Sequence, residues 1–140
     1  MSNYGDLIGG LATVLRNGIT GVHVYETPPD AVNEFPACII IPEPMDPRME
    51  IVDNSFLANF RVITLVAAGE SSEAWAQLWD YLDPTLANKS VVKAIRTDPT
   101  LNGKADTSDV TRIENIGRRE IGGGFPMGFD ALVEAVKTVA

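Results

Sequence analysis

Nucleophilic catalysis by a thiol needs a base within reach of the sulfur, and the sequence offers one candidate for each part, Cys38 and His23. His23 stands between Val22 and Val24, while Cys38 opens the apolar run Ile39-Ile40-Ile41. A free cysteine in such a run is expected to behave as a small core hydrophobe rather than a nucleophile. One histidine, one cysteine and scattered carboxylates give no metal-ligand spacing. Asp46, Glu50 and Asp53 form an acidic series, but the alternating acids, central glycine and closing glutamate of a calcium loop are missing. Gly122-Gly123-Gly124 lacks the spacing of a dinucleotide fingerprint. Gly103-Lys104 runs into alanine, with no upstream glycine in register for a phosphate loop. No nucleophile elbow occurs. The expectation is a protein without catalytic residues, metal or cofactor. Carboxylates brought together only by folding would leave no local motif, so a small enzyme domain stays open as an alternative.

Binding is the more productive question. Residues 1–70 hold 9 acidic and 3 basic side chains, and residues 71–140 hold 10 and 8. Lys89, Lys93 and Arg96 recur at helical spacing, so a helix there would line them on one face. The segment from Pro42 to Asp53 gathers Glu43, Asp46, Glu50 and Asp53 around Met45 and Met49. Exposed methionines adapt to partner surfaces. Together these residues suggest a subunit contact in which the acidic loop of one copy meets the basic helix of the next. The plainer reading is two solvated charged faces. Trp75 and Trp79 could anchor an interface, but their spacing with Leu78 and Leu82 is that of a stripe that covers a core.

The elements that must position these groups follow from periodicity. Leu7, Ile8, Leu11, Val14 and Leu15 predict a helix over about residues 4–16, with Gly18 supplying a left-handed stop. Short strands are expected near 22–25 and 37–41, the second bracketed by Pro36 and Pro42. Phe56, Ala58, Phe60, Val62, Thr64 and Val66 alternate with Asn59 and Arg61, the signature of a long strand with one apolar face. A helix through Trp75–Leu82 follows, capped by a serine and closed at Asp83-Pro84. A shorter helix is expected from Ser90 to about Arg96, then a strand over Val110–Ile121. Residues 129–139 carry helix-favouring Ala, Leu, Glu and Lys, yet pairing across the glycine turn favours a strand, and both readings remain open. The fold class expected is α+β: a single mainly antiparallel (mixed) sheet of four to five strands, with helices packed on one face, in one domain spanning 1–140.

Composition sets the outer limits. Of 140 residues 45% are hydrophobic, enough for a core without staples, and the net charge is −8. An acidic chain lacks the basic footprint of a general nucleic-acid binder. A lone cysteine excludes an internal disulfide. The first residues lack the basic start and apolar run of a signal peptide, and no stretch approaches a membrane span, so residence in the cytoplasm is expected.

Beyond these patterns, Leu7-Ile8-Gly9-Gly10-Leu11, Tyr25-Glu26-Thr27-Pro28-Pro29-Asp30-Ala31, Phe35-Pro36-Ala37 leading to Ile41-Pro42, and Ala74-Trp75-Ala76-Gln77-Leu78-Trp79-Asp80 resemble tail terminator proteins of long-tailed (siphovirus-type) bacteriophages, similar to those of actinobacteriophages. The resemblance covers essentially the whole chain, without a diagnostic motif. It implies a hexameric ring that caps the tail tube, stops polymerisation of the major tail tube protein, and offers an attachment surface to the head-to-tail connector or stopper protein. It places the chain in the virion, at the head-proximal end of the tail, after assembly in the host cytoplasm. DNA would pass through such a ring without being specifically bound. The alternatives are another head-to-tail connector or tail-completion protein and, further off, a small cytoplasmic adaptor.

Overall fold

A computed structural model describes residues 2–45, 55–68, 72–120 and 126–138. In chain order they form α1 (Asn3–Gly18), β1 (His23–Tyr25), β2 (Ala37–Pro42), β3 (Ser55–Ala68), α2 (Ser72–Leu82), α3 (Val91–Thr97), β4 (Thr107–Arg118) and β5 (Pro126–Thr138). Among the described residues the strands make one sheet, ordered β1-β2-β3-β5-β4. β1 runs parallel to β2 and every other pair is antiparallel. The expected α+β class and mainly antiparallel sheet are therefore what the chain adopts.

Alternation along β3 produces the two faces of the sheet. Ala58, Phe60, Val62 and Val66 join Cys38 and Ile40 of β2 and Phe129, Ala131, Val133 and Ala135 of β5 in the main core, where the helices pack. α1 contributes Leu7, Leu11, Val14 and Leu15, and the ring of Tyr4 meets that of Phe60 at 5.3 Å between centroids. The opposite face carries a smaller cluster of Ala37, Ile39, Ile63 and Leu65, against which Val32 and Phe35 of the β1–β2 connection pack. Burying each of these larger side chains stabilises the fold by roughly 1.5–3 kcal/mol.

β5 resolves the open question at 129–139. Its alternating Phe129, Ala131, Val133 and Ala135 are buried between β3 and β4, and hydrogen bonding on both sides outweighs the helix propensity of Ala, Leu, Glu and Lys.

At the start of α1 the Ser2 hydroxyl accepts the Gly5 amide at 2.9 Å, and Asp6 lies in the first turn. Its end differs from expectation. Gly18 is the last helical residue and does not adopt a left-handed conformation; Gly21, with φ +72, makes the turn. What Gly18 supplies is room, because a Cβ there would lie 2.4 Å from the Cβ of Ala94 on α3.

This contact yields a paired prediction. Gly9, also in α1, has only ordinary space around it, with Glu26 Oε1 3.8 Å from where a Cβ would stand. Gly9→Ala should stabilise the protein by up to ~1 kcal/mol through helix propensity. Gly18→Ala should instead destabilise it by ~1–3 kcal/mol through overpacking. Urea unfolding of the two variants checks both signs.

Candidate interaction surface

The one pair that could have supported thiol chemistry is separated by the pleat. His23 is in register with Ala37 and Val24 with Cys38, so His23 and Cys38 belong to opposite faces of the sheet. His23 is exposed, its Nδ1 3.1 Å from Glu34 Oε2. Cys38 is fully buried beside the Thr64 hydroxyl, and burial pushes its thiol up to about 12. A thiol held protonated in the core is a packing residue. Among the described residues, no three His, Cys, Asp or Glu side chains converge as metal ligands.

The densest polar constellation lies on the face away from the helices. Asp130, in the middle of β5, is 1% exposed. Its Oδ2 accepts Arg61 Nη1 at 2.6 Å and Asn115 Nδ2 at 2.8 Å, while Oδ1 accepts Arg119 Nη1. Arg61 also donates to Glu114 Oε1 at 2.8 Å and, through Nε and Nη2, to Glu43 Oε1 at 2.9 and 2.8 Å. Arg112 approaches the other oxygen of Glu114 at 3.4 Å. Burial alone would raise the Asp130 carboxyl, but the bonds from Arg119, Asn115 and Arg61 outweigh it and hold the group below the ordinary carboxylate range. The same contacts, Asp130 foremost, raise Arg61 further above its already high value.

Local backbone geometry makes this cluster possible. The β4–β5 ladder shifts register between Glu114 and Gly117, where Asn115 has φ +56 and Gly117 φ +128. A bulge re-aims side chains, and here Asn115 meets the same carboxylate as Arg61, which comes from the neighbouring strand on the far side of β5. Every oxygen of Asp130 is occupied by a donor, so the group acts as an ionic clamp across β3, β4 and β5 and is not placed to exchange protons with a substrate. Sequence reading put Arg61 on the outer face of β3 but missed its partner, which is 69 positions away. The available signal was one acid, Asp130, within an otherwise apolar alternation.

The predicted contact residues fare differently. Glu43 belongs to the clamp, and Met45 is half-buried just beyond it. Asp46, Met49, Glu50 and Asp53 lie outside the described residues. The helical row of Lys89, Lys93 and Arg96 requires correction. Ser90 is the N-cap of α3, so Lys89 precedes the helix, and it reaches Asp80 at 3.2 Å. Arg96 pairs with Asp109 at 3.0 Å, and Lys93 stands exposed on α3 without an ion pair among the described residues. The tryptophan stripe also needs amending. α2 buries Ala74 and Leu78, Trp75 packs half-buried against the core, and Trp79 is 62% exposed. Ile116, on the β4 bulge, is 53% exposed. An edge of the Trp75 ring comes within 3.5 Å of where a Cβ on Gly117 would lie.

No family model matches this chain, and no curated protein matches it.

Two expectations follow from the clamp and from α2. Asp130→Asn should cost ~1.5–3 kcal/mol, because a neutral amide forfeits the charge-assisted hydrogen bonds that Arg61 and Arg119 make to this buried carboxylate. Since the folded-state carboxyl sits below its unfolded value of ~3.9, the unfolded chain takes up the proton first as pH falls. The stability gap between wild type and Asp130→Asn should therefore be full at neutral pH and shrink progressively below about pH 4; denaturant titrations at several pH values read it. On α2, Trp79→Ser should change stability by no more than ~0.5 kcal/mol, whereas Leu78→Ala, one residue away, should cost ~2–5 kcal/mol. Thermal unfolding distinguishes the two.

Proposed function

We propose that this protein is a structural component of phage tail assembly: a tail-terminator-like subunit that forms a ring on the end of the tail tube, halts its growth and presents a surface to the head connector. The observation that carries the reading is the architecture. The resemblance implies a small α+β sheet with helices packed against it, and the chain folds as a five-stranded mixed sheet with α1, α2 and α3 contributing to one core. The side chains left at the surface add support. Trp79 and Ile116 are large, apolar and solvent-exposed, which suits a subunit whose task is to be covered by neighbours.

Mechanically, the clamp of Asp130, Arg61 and Arg119 would let the sheet serve as a rigid plate. A rigid subunit keeps an interface pre-organised and reduces the ordering cost of assembly. The net charge of −8 suits a ring through which DNA slides, because an acidic wall does not retain phosphates. No helix among the described residues is long and apolar enough to cross a membrane.

The test is electron microscopy of particles from a phage lacking this gene. Overlong, headless tubes are expected. Tails of normal length would remove the terminator reading: if unattached to heads they would point to a connector or stopper, and intact virions would return the protein to the adaptor or enzyme classes.

A further inference from the structure

A groove of about 350 Å³ opens between the end of α1 and the outer side of α3. Val14, Gly18, Ala87 and Ala94 give it an apolar, small-residue floor, and Lys93 stands at its rim. The groove owes its depth to the close approach at Gly18 and Ala94, which brings the two helices together with no side chain long enough to fill the space between them. Asp98 also borders it, but its carboxylate is turned to its own loop, accepting the Thr100 hydroxyl at 2.8 Å and the Asn102 amide at 3.2 Å. Lys93 is thus the charge this groove offers to a partner.

Most basic side chains among the described residues are committed elsewhere. In a chain of net charge −8, Arg16, Arg61, Lys89, Arg96, Arg112 and Arg119 are each paired with a carboxylate of their own chain. Two whole subunits so acidic repel one another, so a self-contact must bring a local cation to a local acidic segment. The sequence contains one that also carries apolar residues. Residues 46–54, Asp-Pro-Arg-Met-Glu-Ile-Val-Asp-Asn, carry three acids against one base and hold Met49, Ile51 and Val52 between them.

We propose that the α1–α3 groove receives the 46–54 segment of a second copy of this chain, with Met49, Ile51 or Val52 against Val14 and Ala94 and with Glu50 or Asp53 opposite Lys93. The inference rests on the ring-forming reading only in taking a second copy as the occupant. Groove and segment are different surfaces of one subunit, so the contact is heterologous and propagates head to tail until it closes. Lys93 orients the approach and speeds it; the apolar side chains hold it.

The test is sedimentation of the full chain at low and high salt, with Lys93→Glu, Glu50→Lys/Asp53→Lys and Ala87→Trp, three changes that avoid the clamp and the core. Wild type should self-associate, more strongly once salt screens the long-range repulsion between the two acidic chains. Each variant alone should associate about tenfold more weakly. An equimolar mixture of Lys93→Glu with Glu50→Lys/Asp53→Lys should recover association, since an intact groove on one chain then meets an intact segment on the other. Ala87→Trp, which fills the groove without altering charge, should weaken association at every salt concentration. A wild type that stays monomeric, variants that assemble as wild type does, or a mixture no better than its parts would each overturn the proposal. The outcome is separable from the terminator reading: overlong tubes in the deletion phage together with a silent groove would leave that function standing and move the subunit contact elsewhere.

Discussion

A carboxylate with almost no contact with water must be satisfied on every side, and Asp130 imposes that requirement on the middle of the sheet. It lies on β5, between β3 and β4, so its partners have to come from both neighbours: Arg61 from one strand, Asn115 from the bulge of the other, and Arg119 from just beyond that strand. Shifting either strand pair by one residue would turn Arg61 or Asn115 to the helical face and strand the charge in the core. Hydrophobic alternation would tolerate a slip of two residues; the clamp would not. It therefore makes register a matter of charge as well as of burial. Through Arg61 it extends to Glu43, where the chain leaves β2.

The rest of the structure can be arranged around that fixed plate. The helical side is a continuous apolar layer in which α1 and α3 approach closely at Gly18. The opposite side divides into a small apolar cluster, roofed by the β1–β2 connection, and the ionic patch. Cys38 and His23 do not meet as a pair, because the strands that carry them turn them to opposite faces. The surface features with room for a partner lie at the periphery: Trp79 on α2, Ile116 on the bulge, and the groove beside Lys93.

Much of this was legible from period and composition. The apolar face of β3, the helical stripe of α1 and the class of the fold all come from local repetition, which one strand or one turn is enough to display. What was hidden depends on partners far away in the chain. Trp79 has the right spacing for the α2 stripe, but the face of a helix that docks is chosen by the sheet beneath it, and here Ala74 and Leu78 allow the closer approach. Gly18 looks like a helix stop until Ala94 is placed against it. Lys89 falls in step with Lys93 and Arg96, but the Ser90 hydroxyl accepts the Lys93 amide and starts the helix at Val91, beyond Lys89. The clamp left only an acid in the wrong place, and the helix propensity of β5 competed with the strand reading until two neighbouring strands enclosed it.

The position of β5 also bears on how the sheet can form in time. β3 is complete long before β5, yet the strand that pairs with it over most of its length follows α2, α3 and β4 in the chain. During synthesis β3 can pair with β2, but its other edge waits unpaired until β5 emerges and threads between it and β4. Until then Arg61 has no Asp130, and an apolar strand edge is open to a neighbouring nascent chain. The pairing that closes the sheet is one of high sequence separation, so folding should be slow for a domain of this size. The chain thus passes through an interval in which the open edge of β3 is an adhesive surface, before the clamp engages and that surface disappears.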